Sequence, residues 1–343
     1  MPQKKIKIIF FGLGSAGQRH LKNIINLKLN CEIYYYKNTK TNFLITNKLK
    51  KKNGDLLKKY KITLLKKIYD IKKINPDIAF ICNPSSEHTK YALICANLGC
   101  DLFIEKPISN NFKNLKKLIK IVQKKKLVMS VGYQFLLHPL LTKLKSIIRF
   151  NKYGNLYSGF AVMNESIKEY RKYGTHKDLL ITQKKRGGGV MLEQSHDLNY
   201  LIWLMDASPE LKQCFRYSTK SLGFEKGLED SAELSLIFKK KKLRSEIFLS
   251  LSSKEDKKQK NVSLFFKKAK INLDFIKNTL EIESNNKKTI IKSNISRNDL
   301  FISEIKLFFK KVKKRLINDI SIEYAMQTLD IILSAKKYKL TKI

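Results

Sequence analysis

Acidic residues are scarce in this 343-residue chain: 29 Asp and Glu stand against 70 Lys and Arg, a formal charge of +41. A surplus of that size ordinarily points to nucleic acid or an anionic membrane surface. The lysines, however, run along the whole chain among abundant Ile, Asn, Phe and Tyr, and no RRM, zinc-finger or basic-zipper signature goes with them. Runs such as Lys239 to Lys242 and Lys124 to Lys126 read as solvated loops or helix faces. Neither a specific nucleic-acid partner nor a membrane partner is expected. Cysteine is sparse too: Cys31, Cys82, Cys95, Cys100 and Cys214 make an odd set with no C-x-x-C pair. That argues against a zinc site and for a reducing compartment, with Cys31, Cys82 and Cys95 acting as small hydrophobes in apolar stretches. The histidines are scattered, so no metal is expected. No apolar run approaches the roughly 18 residues of a membrane span. Lys4-Lys5-Ile6-Lys7 imitates a signal peptide, but the apolar run after it is short and ends in glycines. The expectation is a soluble, cytoplasmic protein, long enough for two ordinary domains and without a long linker or an internal repeat.

What is present begins at once. An apolar run, Ile6 to Phe11, feeds into Gly12, Gly14 and Gly17, and a helix-compatible segment follows. Strand, G-x-G-x-x-G and helix in that order are the context of a dinucleotide-binding turn. Gly12 allows the tight turn, Gly14 admits a pyrophosphate and Gly17 lets helix and strand pack closely. The N–H groups at the helix start, Ser15 and Ala16 among them, face the phosphates. Cys31 to Tyr36 reads as the second strand. Its end, where an NAD-selective fold carries an acid for the ribose 2′-hydroxyl, holds Lys37, Asn38, Thr39 and Lys40 instead. Lysine there would attract a 2′-phosphate, so NADP is preferred over NAD as the expected cofactor.

Further on, a helix over 56–60, a short strand over 62–64 and a helix over 68–74 precede a buried strand over 76–82. That strand ends in the polar loop Asn83-Pro84-Ser85-Ser86-Glu87-His88. A helix over 88–98 stops at Gly99, and a strand over 101–104 delivers Glu105-Lys106-Pro107. Polar loops at the C-terminal ends of parallel strands are where ligands of open α/β sheets lie. A helix over 111–125 and a strand over 127–131 finish a doubly wound parallel sheet. Beyond it come a helix over 138–148, a strand over 155–163, the polar segment 164–186, and Gly187-Gly188-Gly189 opening one helix over 190–205. Five strands near 212–221, 230–239, 243–252, 260–267 and 270–275 and two helices, about 299–315 and 321–338, follow. The fold class is therefore α/β: a Rossmann domain over 1–130, then an α+β domain over 131–343 with a mostly antiparallel open sheet.

Three stretches, GLGSAGQRHLKNI, NPSSEHTKYALICANLGCDLFIEKPIS and GYQFLLHPLL, and then GGGVMLEQSHDLNYLIWLMD, stand in that order. In order and spacing they resemble the Gfo/Idh/MocA oxidoreductase family over nearly the whole chain. The resemblance implies that Lys106 sits at the junction of nicotinamide and substrate, aimed by a cis bond before Pro107. It also implies a carbohydrate substrate, and pairing of copies into a homodimer or homotetramer through the open face of the second sheet. GGGV-x-L-E-x-S-H is similar to a subset linked to surface-sugar biosynthesis, where Tyr170, Arg171 and Tyr173 would contact substrate. Leu136 stands where that subset often has arginine.

On a continuous helix Glu193 and Asp197 share one face and His196 lies beside it. Histidine can take a hydroxyl proton as hydride leaves the same carbon, while Lys106 holds the oxygen that becomes a carbonyl. Many family members space acid and histidine by four. Here Glu193 to His196 is three, which leaves open whether His196 or Asp197 meets the substrate. The cofactor set comprises Gly12, Gly14, Ser15, Ala16, Gly17, Lys37, Asn83, Pro84, His88, Glu105 and Lys106; the catalytic set is Lys106, Glu193, His196 and Asp197. The expected activity is NAD(P)-dependent hydride transfer at a hydroxyl or keto group of a sugar or sugar-derived acid. A redox-assisted glycosidase and a non-catalytic nucleotide-binding scaffold are the alternatives.

Overall fold

From Ile8 on, the first strand is apolar on both faces because both are covered. Ile8, Ile9 and Phe10 are fully buried in β1 (Ile6–Phe11), as a strand inside a parallel sheet requires. The structure is a computed structural model; it describes all residues except 1–4, 37–42, 47–49, 168–178, 241–242 and 255–256. Two compact units emerge, one built on Met1–Gly132 with Phe301–Glu323 and the other on Tyr133 onward, including Gly174–Leu300 and Tyr324–Ile343.

In the first unit, β2 (Cys31–Tyr36), the hairpin strands β3 (Phe43–Ile45) and β4 (Lys51–Asn53), and β5 (Thr63–Leu65) follow β1. Then come β6 (Ile78–Ile81), β7 (Asp101–Glu105) and β8 (Met129–Gly132). Six of them form a parallel sheet in the order β5-β2-β1-β6-β7-β8. The chain winds outward from β1 in one direction, then returns to start β6 on β1's other side. That reversal opens a crevice at the C-terminal ends of β1 and β6. Phe10, Phe80 and Phe103 stack across three adjacent strands with ring centroids 5.0 Å apart at each step. Each buried ring contributes about 1.5–3 kcal/mol by area and each ring pair about 0.5–1.5 more. The helix Arg297–Lys314 completes this core: Phe308 meets Phe80 and Phe103 edge-on, and Ile305 is fully buried. The segment Phe301–Glu323 thus groups with the N-terminal sheet.

The second unit is a nine-stranded sheet. Its strands are β9 (Leu156–Asn164), β10 (Glu210–Ser218), β11 (Ser231–Lys240), β12 (Leu243–Ser252) and β13 (Gln259–Phe266). They continue with β14 (Lys270–Asp274), β15 (Thr279–Ser284), β16 (Lys287–Lys292) and β17 (Leu340–Lys342). The order is β16-β15-β14-β13-β9-β12-β11-β10-β17, antiparallel except for the β9–β12 and β10–β17 pairs. Alternation puts Val262, Leu264, Ile271 and Leu273 on a buried face. The opposite face shows Phe160, 51% exposed, stacked at 5.5 Å on Phe248, 43% exposed.

Several expectations change. The hairpin β3–β4 and strands β15, β16 and β17 were not foreseen. The helix expected over 111–125 begins only at Leu115, after Asn114 with φ +63°. The helix expected over 190–205 is two helices, Val190–Glu193 and Ser195–Met205, broken at Gln194. The buried Gln194 amide donates to the Ser252 carbonyl of β12 at 3.1 Å, which draws that residue toward the sheet and out of the helical path.

Candidate active site

The glycine turn follows β1 directly. Gly12 has φ +89°, a conformation side chains resist, and a Cβ there would lie 2.5 Å from the Asn83 nitrogen at the end of β6. Gly17 faces the Gly12 carbonyl with no room for a side chain. Gly14 differs: nothing lies within 4 Å of where its Cβ would be. The helix that starts here, Ser15–Asn26, has no side-chain cap, so its first N–H groups keep their donor capacity at the crevice. Gln18 anchors the turn by donating to the Leu13 carbonyl at 3.1 Å and accepting from Ile45 N–H at 2.8 Å.

Two more segments come to the same sheet edge. Asn83 donates from Nδ2 to Glu87 at 3.3 Å, while its Oδ1 is buried with no hydrogen-bond partner among the described residues. After β7, Glu105 and Pro107 are buried and Lys106 is half-buried between them, with a cis peptide bond joining Lys106 to Pro107. Both ring nitrogens of His88 face main-chain carbonyls: Nδ1 lies 2.9 Å from that of Pro107 and Nε2 2.8 Å from that of Asn83. Burial holds its pKa below the ordinary histidine value despite those carbonyls. It joins the Asn83 loop to the Lys106 turn. An open Gly14, an uncapped helix N-terminus and an orphaned Asn83 oxygen together fit a dinucleotide: the phosphates at Gly14, Ser15 and Ala16, and polar groups beside Asn83 and Pro84.

In the second unit the triglycine serves packing. Gly189 has φ +102° and its missing side chain leaves room for the buried Glu229 carboxylate, which Arg216 holds at 2.9 Å. Glu193 and His196 are half-buried. The imidazole of His196 packs edge-on against Tyr133 and Phe135, with centroids 5.5 and 5.1 Å away. Asp197 is fully buried. It accepts from Tyr200 Oη at 2.7 Å and from Lys260 Nζ at 2.8 Å. Because the helix breaks at Gln194, Glu193 and Asp197 do not share the face of one continuous helix. Lys260, absent from the sequence candidates, projects from β13 into a box of Phe135, Tyr200 and Phe275, 4.2 Å above the Phe135 ring. Burial lowers its pKa, and the Asp197 charge only partly restores it. Period-two alternation carried the signal: Lys260 falls on the inward face with Val262, Leu264 and Phe266. Tyr170, Arg171, Tyr173 and Lys37 lie outside the described residues.

Residues 6–133 match the profile of the Gfo/Idh/MocA oxidoreductases, a family with an NAD-binding Rossmann fold. The match covers less than half of the 343 residues. A curated relative, oxidoreductase P35 of Formosa agariphila, is 29% identical over 79 residues, 23% of this chain and only 25% of that protein's length. The fold of the whole chain recurs in solved structures. UDP-N-acetylglucosamine 3-dehydrogenase from Acidithiobacillus ferrooxidans matches with a TM-score of 0.74 over 98% of each chain at 16% identity. A levoglucosan dehydrogenase solved with NADH gives 0.79 over 97% of this chain and 98% of that one at 13% identity. A 3-ketoreductase from Actinomadura kijaniata, solved with NADP and TDP-benzene, gives 0.77 over 99% of each at 11%. Among the described residues no helix is long and apolar enough to cross a membrane.

Proposed function

We propose that this chain is an NAD(P)-dependent sugar oxidoreductase, moving a hydride between nicotinamide and a CH–OH or keto carbon of a sugar, a sugar-derived acid or a nucleotide-linked sugar. The observation that carries this reading is the crevice at the β1–β6 reversal, where the open Gly14 turn abuts Asn83. The Lys106 turn ends the next strand along. The bound nicotinamide would supply the hydride acceptor or donor. Lys106 holds the reacting oxygen and stabilises charge on it. His196, half-buried and steadied by two aromatic edges, takes the hydroxyl proton, and Glu193 meets a substrate hydroxyl. Asp197 acts through Lys260 and Tyr200, keeping the start of the His196 helix in place. Tyr170, Arg171 and Tyr173 complete the substrate contacts. Lys37 and Lys40, where an acid would repel a 2′-phosphate, support NADP over NAD. Dehydrogenases and a ketoreductase of sugars among the structural neighbours support the substrate class. The thiols of all five cysteines suit a reducing cytoplasm. The exposed Phe160–Phe248 face supports pairing with a second copy.

Lys106→Ala tests the reading. Turnover with a sugar panel should fall roughly 10²- to 10⁴-fold while cofactor affinity stays within about threefold. Absence of hydride transfer in the wild type would leave only a scaffold, and release of free sugar from a glycoside without net change in NADH absorbance would mark a glycosidase.

A further inference from the structure

Midway along the helix that opens at the glycine turn, a histidine with no place in the scheme above is fully buried. His20 lies on Ser15–Asn26, the helix that opens at the glycine turn, on the same face as Gly17, Leu21 and Ile24. Phe103 and Phe301 meet its ring edge-on at 4.9 and 5.5 Å, and Phe80 flanks it at 5.9 Å. This collar fixes the direction in which Nε2 points, and Nε2 lies 2.5 Å from Glu105 Oε1. Nδ1 has no hydrogen-bond partner among the described residues. The tautomer with its proton on Nε2 therefore fits best: it donates to the carboxylate and leaves only a lone pair, not an N–H, unsatisfied. Phenylalanine would fill this apolar setting equally well. What imidazole adds is one directed bond.

That bond ends one residue from Lys106. The other Glu105 oxygen accepts the Lys106 backbone N–H at 3.2 Å. Burial alone would push the Glu105 carboxyl up, but the His20 bond and the nearby Lys106 charge bring it below its ordinary value. Beyond Lys106, the Pro107 carbonyl lies 2.9 Å from His88 Nδ1. The lysine turn is thus pinned on each side by an imidazole from a different helix, and one of those helices carries the phosphate turn. We infer that His20 is a positioning residue for Lys106, holding the Glu105–Pro107 turn in register with the glycine turn. Its catalytic consequence rests on the function proposed above.

The test compares His20→Phe, which keeps the aromatic packing and removes the donor, with His20→Gln, whose Nε2 can replace it. His20→Phe should lower kcat about 10- to 100-fold, since small misplacements of a reacting group cost that much, with cofactor Kd within about threefold. His20→Gln should return kcat to within a few-fold of wild type. A second readout needs no turnover: NMR titration of ¹³C-dimethylated lysines, with the Lys106 signal assigned by its loss in Lys106→Arg. Its midpoint should move in His20→Phe and return in His20→Gln. Should His20→Phe fail to fold, Glu105→Gln breaks the same bond from the other side and should move the Lys106 midpoint likewise. If the wild type transfers no hydride, the proposed function fails while the titration still decides the role of His20. A folded His20→Phe or Glu105→Gln with the wild-type Lys106 midpoint overturns the inference, as does an unaltered kcat in His20→Phe.

Discussion

Replacing Lys260 with methionine keeps the length of the side chain in its aromatic box and strands the Asp197 carboxylate. In the wild type that carboxylate, fully buried, has one ammonium at 2.8 Å and one tyrosine hydroxyl at 2.7 Å. Breaking a buried pair from one side typically costs about 3–5 kcal/mol, because the remaining charge keeps its desolvation penalty. The stranded group can escape by taking a proton. For an ordinary aspartate, about three pKa units below pH 7, that escape costs about 4 kcal/mol, which caps the loss near the same figure. At pH 5 the cap falls to about 1.5 kcal/mol. Lys260→Met should therefore destabilise by about 3–4 kcal/mol at pH 7 and by less than half of that at pH 5. The double variant Lys260→Met/Asp197→Asn, with no charge left and the Tyr200 bond available, should be more stable than Lys260→Met alone. Trp203 is the only tryptophan and lies in this unit, under Lys145 at 4.0 Å, so its fluorescence during urea unfolding reads the transition. A loss under about 1 kcal/mol at pH 7 refutes the pairing argument. So does a double variant as unstable as the sum of the singles.

Glu304 offers a prediction of opposite sign. Burial, then the charge of Glu105, raises its pKa well above the ordinary glutamate value. The folded state then holds a proton that the unfolded state releases above about pH 4.5, so this group's contribution to stability declines as pH rises from there through the folded value. Glu304→Gln should remove that decline, and equal urea-midpoint changes between pH 5 and pH 8 in both proteins would contradict it. On the open sheet face, Phe160→Glu with Phe248→Glu should convert a dimer into a monomer of 40.0 kDa by light scattering; a wild type already monomeric sinks the pairing proposal.

The first unit was the more legible because its signals are local. The run Ile8–Phe11 is apolar on both faces, and glycines mark the turn after it, so strand, turn and helix follow from adjacent residues. The β15–β16 hairpin was missed although its turn is Asn285-Asn286, with φ +49° and +57°, because lysines hide the alternation of β16. The helix break at Gln194 could not be read from periodicity: it depends on a hydrogen bond to Ser252, 58 residues away. The same holds for Asp197, whose spacing invited a catalytic role and whose partner, Lys260, is 63 residues distant. In a chain with 70 basic residues, one inward lysine carries little signal unless strand alternation is applied strictly. His20 sat in plain view on the buried face of its helix, but its bond to Glu105 spans 85 residues.

Gly14→Val bears most directly on the central claim, that the turn after β1 holds the cofactor. Gly14 has φ −74° and an extended ψ, which valine adopts readily, and the added side chain meets only open space, so the fold should survive with an unchanged melting temperature. The same side chain fills the place of the pyrophosphate. Titration with NADPH, followed by nicotinamide fluorescence, should show binding in the wild type and a loss of at least about 100-fold in Gly14→Val, equivalent to about 2.7 kcal/mol. A folded Gly14→Val that binds NADPH with the wild-type Kd would contradict the account.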